Sequence, residues 1–242
     1  MWSRLTILSE AVLDLLFPDR CASCGRVGGL FCAACRAALR PYPPAPPPPG
    51  LDAVAVAWCY EGAVRRAVHT LKYRRRRRVA IALADALASS LADWPPGDAL
   101  VPVPLHAERL AERGFNQSAE LARQLALRWN MPLRADGLVR ARDTGHQAHL
   151  GRRARLSNVA GAFVWRAPTP PPARVVLVDD VLTTGATLDA CAAALRAAGA
   201  QQVSAVALAR ARAPGTLHSL ARPPGAQRGA SCYNCTRKRT RA

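Results

Sequence analysis

The chain has 242 residues, half of them hydrophobic, room for one α/β domain of ordinary size with a small appendage. No apolar run approaches the length that crosses a bilayer, which excludes a helical membrane span. The formal net charge of +18, from 34 basic and 16 acidic side chains, favours polyanions and phosphorylated small molecules. An Arg- and Ala-rich composition also follows from coding bias, so charge alone does not point to DNA.

Residues 4–16 place Leu5, Leu8, Val12, Leu15 and Leu16 on one face of a short amphipathic helix, ended by Pro18. Arg4, Glu10 and Asp14 interrupt this segment, which lacks a signal-peptide core, and the expected location is cytoplasmic. Next come two Cys-x-x-Cys knuckles, Cys21 with Cys24 and Cys32 with Cys35. Four thiolates so spaced close a tetrahedral structural Zn2+ site, with Gly25, Gly28 and Gly29 easing the turns. Disulfides are the other use of such cysteines, and a cytosolic setting disfavours them. Four protein ligands leave no open position for catalysis. Residues 41–50 contain seven prolines and read as a polyproline-type spacer, so the expected organisation is a module at 1–40, a linker at 41–50, a main domain at 51–212 and a disordered basic tail at 213–242.

In the main domain, residues 53–60 read as a first strand, followed by helices at 62–71 and 79–91. Between those helices Lys72, Tyr73 and five arginines, residues 74–78, form a basic corner, either a solvated charged face or a polyanion patch. Residues 100–105 form a short strand running into a proline-pinned loop with Pro104, Leu105 and His106. Arg109 and Arg113 follow at helical spacing and share a face that would grip phosphate, ahead of a helix reaching about Arg128. A short strand at 138–141 precedes a polar stretch, residues 142–158, that suits either a lid over an anionic ligand or an exposed loop; His146 and His149 in it read as surface residues. A strand at 161–165 leads back to the most informative segment.

That segment is Val-Val-Leu-Val at 175–178, then Asp179, Asp180, Thr183, Thr184, Gly185, Ala186 and Thr187, then an Ala-rich helix at 188–198 and a strand at 203–208. The unbroken apolar run suits a strand buried on both faces of a parallel sheet, with the acids beyond its carboxyl end. A small-residue loop at a helix N-terminus offers free N–H groups and hydroxyls to a phosphate. The acids would repel that phosphate and instead suit ribose hydroxyls, or a divalent cation held mainly through water. A phosphorylated sugar satisfies both halves. Cys59 and Cys191 fall in predicted elements as core residues; Cys232 and Cys235 form an isolated pair in the tail.

The stretch 175–187 resembles the phosphoribosyl-pyrophosphate (PRPP) loop of the type I phosphoribosyltransferases. The resemblance implies that Asp179 and Asp180 meet the ribose hydroxyls and that residues 183–187 hold the 5′-phosphate. The order of the other pieces resembles the ComF family of competence-associated proteins: the zinc module, Leu71-Lys72-Tyr73, Val101-Pro-Val-Pro-Leu105, Arg109, Arg113-Gly-Phe-Asn-Gln117, then Gln147, Leu150, Arg153, Asn158 and Gly161-Ala-Phe163. By that resemblance the fold is α/β, a type I phosphoribosyltransferase-like, mainly parallel sheet flanked by helices. Pro104, Leu105 and His106 would sit at pyrophosphate and residues 142–155 would form a flexible hood. The implied catalytic set is Asp179, Asp180 and Arg153, with Mg2+ accompanying PRPP. Three functions are compatible: a phosphoribosyltransferase, a PRPP-binding regulator without turnover, and a DNA-handling scaffold binding single-stranded DNA or other competence machinery.

Overall fold

The computed structural model describes residues 18–73, 76–92, 94, 97–141 and 161–211. The helix expected at 4–16, Arg74, Arg75, the hood with Arg153, and the tail with Cys232 and Cys235 lie outside the described residues. After α1 (Ala33–Ala37) the order is β1 (Ala53–Cys59), α2 (Gly62–Tyr73), α3 (Val79–Ser90), β2 (Ala99–Pro102), α4 (Ala107–Arg113), α5 (Gln117–Trp129), β3 (Leu138–Arg140), β4 (Phe163–Trp165), β5 (Arg174–Leu182), α6 (Ala186–Ala197) and β6 (Gln202–Arg210). No described helix is long and apolar enough to cross a membrane.

Four strands form one parallel sheet in the order β1-β6-β5-β2. The apolar run Val175, Val176, Leu177 and Val178 is buried on both faces, as its lack of alternation requires. Val176 and Val178 pack with Val206 and Leu208 under α2, α3 and α5, through Leu71, Leu83, Leu87, Leu121 and Leu125. Val175 and Leu177 face the other way, onto Leu188, Cys191 and Leu195 of α6. Residues 163–165 form β4 in a separate antiparallel pair with β3, and the chain then runs into β5. Phe163 and Leu138 of that pair join the α6 layer.

Two expectations are corrected. The prolines at 41–50 do not form a free spacer. Tyr42 N–H donates to Ala57 O at 2.9 Å and Cys59 N–H to Arg40 O at 2.9 Å, so the start of the stretch covers the outer edge of β1. A proline run lacks donors, but the residues interleaved with it can still pair with an edge strand. Nor does the zinc module stand apart: Cys21, Ala22, Phe31 and Cys35 belong to the same hydrophobic cluster as α2 and α3. Thr70 Oγ1 donates to Ala22 O at 2.8 Å across that seam. So small a segment cannot bury Phe31 by itself and borrows the domain's core.

Candidate functional site

β5 runs further than its apolar core suggests. Its ladder with β6 continues through Asp179, opposite Ala207, and Val181, opposite Ala209, so both acids lie within the strand's second half. The sequence reading ended the strand at Val178 because acids are poor strand formers; a long partner strand overrides that preference.

Successive strand residues point to opposite faces, and Asp180 follows Val176 and Val178 toward α2 and α5. There its carboxylate is paired with Lys72 Nζ, and only 3 % of the residue is exposed. Gln117 Nε2 donates to Asp180 Oδ1 at 3.3 Å, and Arg113 Nη1 donates to Gln117 Oε1 at 2.9 Å. Asp179 Oδ1 accepts from Ser118 Oγ at 3.1 Å and from the Asp180 N–H at 2.8 Å. Asn116 anchors this corner: its Oδ1 caps α5 by accepting from Ser118 N–H at 2.9 Å, while its Nδ2 donates to Val103 O at 2.9 Å.

The two acids are electrostatically unequal. Burial, reinforced by the neighbouring Asp180 charge, pushes the Asp179 carboxyl up to about 7, with Lys72 and the hydrogen bonds pulling against it. Burial works against the Lys72 ammonium, yet the Asp180 charge and hydrogen bond, together with the Asp179 and Tyr60 charges, outweigh it and hold the lysine above its ordinary value. Asp180 therefore has a fixed counter-ion, and Asp179 is an acid whose charge changes near neutrality.

The loop beyond β5 turns through Gly185, at φ +91°, into α6. A side chain there would be strained, and a Cβ would lie 2.7 Å from Pro48 Cγ. Thr184 Oγ1 accepts from Ala186 N–H at 3.4 Å. Thr183 is exposed, Thr184 and Thr187 are half-buried, and Ala186 packs inward. The far end of the proline stretch is fastened to this helix, with Gly50 N–H donating to Asp189 Oδ1 at 3.0 Å. Burial raises the Asp189 pKa against that hydrogen bond.

Beside β5, Val103 N–H donates to Val178 O at 3.0 Å and carries the β2 strand path into the loop of Pro104, Leu105 and His106. These three residues are half-buried, and His106 Nδ1 caps α4 by accepting from Glu108 N–H at 3.3 Å. Arg109 stays half-buried beyond them. Arg113 does not join it: this side chain is buried, with its guanidinium over the Tyr73 ring at 5.1 Å. Helical spacing placed Arg109 and Arg113 on one phosphate-gripping face; in the structure Arg113 supports Gln117 beneath Asp180. Gln117 and Ser118 carry no role in the sequence reading, and Lys72, expected in the basic corner, is drawn inward to Asp180. The one local signal was a lysine beside Val68 and Leu71 on the apolar side of α2, both fully buried.

The described part of the arginine run is tied to neighbouring groups, although Arg77 and Arg78 stay exposed. Arg76 Nη2 donates to Arg20 O at 3.0 Å, Arg77 Nη2 to Gly114 O at 2.5 Å, and Arg78 pairs with Asp19 at 3.3 Å.

The four knuckle cysteines bring their sulfur atoms within 4.8 Å of one another. Zn–S bonds of about 2.3 Å in a tetrahedron require sulfur separations near ~3.8 Å. Cys24 Sγ and Cys32 Sγ are 3.7 Å apart. Burial opposes the Cys21 thiolate, but N–H groups of Cys24, Cys32 and Ser23 outweigh it and bring the thiol down to about 6. Burial and the surrounding thiols push Cys35 up to about 12. Four sulfurs gathered this closely, with one already inclined to ionise, fit a zinc ion held for structure.

A double zinc ribbon domain model matches residues 12–47, and a phosphoribosyl transferase domain model matches residues 110–221. The chain is 33% identical over 215 residues to the DNA utilization protein YhgH of Salmonella typhi, covering 86% of this chain and 91% of that one. It is 34% identical over 137 residues to competence protein F of Haemophilus influenzae, covering 56% and 59%. A Trypanosoma cruzi hypoxanthine phosphoribosyl transferase overlaps 63% of this chain and 72% of its own at 15% identity, with a TM-score of 0.35, too loose a likeness to argue from.

Proposed function

Since the chain belongs to the ComF and YhgH family of competence and DNA utilization proteins, with a zinc ribbon ahead of a phosphoribosyl transferase domain, we propose that it binds PRPP with Mg2+ and transfers the phosphoribosyl group to an acceptor. One observation carries the reading. Asp179 and Asp180 are fixed by Ser118, Gln117 and Lys72 immediately before the Gly185 loop and beside residues 104–106. The loop's hydroxyls and helix N-terminus suit the 5′-phosphate, and the acids suit the ribose hydroxyls. In the reaction the bond from C1 to pyrophosphate breaks as the acceptor's lone pair forms a new bond to C1. The two carboxylates favour the positive charge that develops on the ribose, and Arg109 stands ready for the anionic leaving group. Arg153 is retained in the proposed catalytic set on sequence grounds alone.

With Asp180 already paired to Lys72, the site offers too few free oxygens to cage a metal by itself. It suits Mg2+ held chiefly by PRPP and water near Asp179, where the ion would neutralise pyrophosphate. Titration calorimetry with PRPP and Mg2+ should show binding that Thr184→Val weakens about 10- to 150-fold, the loss of one hydrogen bond to a charged group. Unchanged affinity would place the phosphate elsewhere. Pyrophosphate release, screened across bases and amines, separates turnover from a regulator that only binds. A second reading, favoured by the relatives' names and the +18 charge, has the basic surface bind single-stranded DNA.

A further inference from the structure

Away from the acids, the zinc module and the outer side of α2 enclose a second cleft of ≈ 580 Å³, a volume typical of small-molecule sites. Arg20, Arg65, Arg66, Arg76 and His69 line it, and no carboxylate does. Among the described residues none of these four arginines has an acidic partner. Backbone and hydroxyl oxygens orient three of them instead. Arg66 Nε donates to Ser23 O at 3.1 Å and Oγ at 3.2 Å, Arg76 Nη2 to Arg20 O at 3.0 Å, and Arg20 Nη1 reaches Gly25 O at 3.5 Å. Carbonyl groups hold a guanidinium in place without cancelling its charge. Four cations around one cleft repel one another, and a ligand with several negative charges relieves that repulsion. Planar guanidinium forks match phosphate oxygens in particular.

The rim supplies a different chemistry. His69 lies against Tyr73 with ring centroids 4.7 Å apart, and Tyr73 remains 58 % exposed although Arg113 covers one of its faces. An exposed aromatic edge beside a cluster of arginines suits a planar heterocycle carrying phosphates. Arg78 is paired with Asp19, while Arg77, still exposed, donates to Gly114 O. The four cleft arginines are gathered around one pocket.

We propose that the cleft between the zinc module and α2 binds a nucleoside polyphosphate, its phosphates among Arg20, Arg65, Arg66 and Arg76 and its base against His69 and Tyr73. This site is separate from the β5 loop. The two are linked through α2, which sends Lys72 to Asp180 and presents Arg65, Arg66 and His69 to the cleft, and through Arg113, which lies over Tyr73 and donates to Gln117.

The test is calorimetry on the full-length, zinc-loaded protein with ATP and GTP at low salt. Binding should weaken at least tenfold in Arg65→Glu, whose side chain has no partner in the described structure, with melting temperature and zinc content unchanged. Inorganic tripolyphosphate should displace ATP, adenosine alone should not bind, and saturating PRPP should leave ATP in place. Displacement of ATP by PRPP would move the nucleotide to the β5 loop and overturn the proposal. So would affinity unchanged in Arg65→Glu combined with His69→Ala, or no detectable nucleotide binding. Tight binding of a single-stranded oligonucleotide, lost in Arg65→Glu while ATP fails to compete, would assign the cleft to nucleic acid instead. PRPP binding at the β5 loop is read out independently, so either conclusion can fail alone.

Discussion

Asp179 makes the residue-scale argument quantitative. Its carboxyl is raised from 3.8 to about 7, so the folded chain holds this proton more tightly than the unfolded chain does. An acid shifted upward costs stability as pH rises through the window between those values, and the cost is complete above about 7. Asp179→Asn removes the charge while still accepting from Ser118. It should therefore raise the melting temperature at pH 8 by several degrees and leave it nearly unchanged at pH 4. An equal effect at both pH values would contradict the electrostatics of the pair. The sequence displayed both acids, because they follow a buried apolar run and precede a small-residue loop. It did not display their inequality, which depends on Lys72 reaching Asp180 from a helix far back in the chain. Arg113 shows the same limit from the other side: helical spacing says which residues share a face but not whether that face meets ligand or core.

At the scale of elements, the predicted strands and helices match the structure where hydrophobic period or apolar runs carry the signal, as in β1, α3 and β6. They fail where pairing or packing decides. β5 outruns its apolar core because β6 continues beside it, the prolines cover the edge of β1, and Phe31 of the zinc module enters the domain core. The last of these changes what zinc removal should do. Structural zinc contributes on the order of 10–16 kcal/mol in small zinc peptides. With Ala22, Phe31 and Cys35 packed against α2 and α3, that contribution is coupled to the domain rather than confined to the module. The double variant Cys21→Ser, Cys24→Ser should lose its zinc by elemental analysis and melt in one transition at lower temperature. Two resolved transitions, with the upper one unchanged, would restore an independent module.

For the whole molecule, the sheet order sets when the chain can fold. β1 and β2 are the outer strands, and β6 and β5 lie between them. The first two strands of the sheet to be made therefore never touch, and each waits for a neighbour from the last third of the chain. Strand pairing across such separations is slow, because a long loop must close before any contact forms. A fragment ending at residue 173 keeps the zinc knuckles, α2 and α3 but lacks both inner strands. It should show helical circular dichroism without cooperative melting, and a sharp transition in that fragment would contradict this account of the core. On the ribosome the same geometry leaves an N-terminal helical half, its apolar underside bare, until the strand bearing Asp179 and its successor emerge. The residues proposed to hold PRPP are thus the ones whose arrival completes the fold, so a polypeptide arrested before them is left without both its central strands and the acids at 179 and 180.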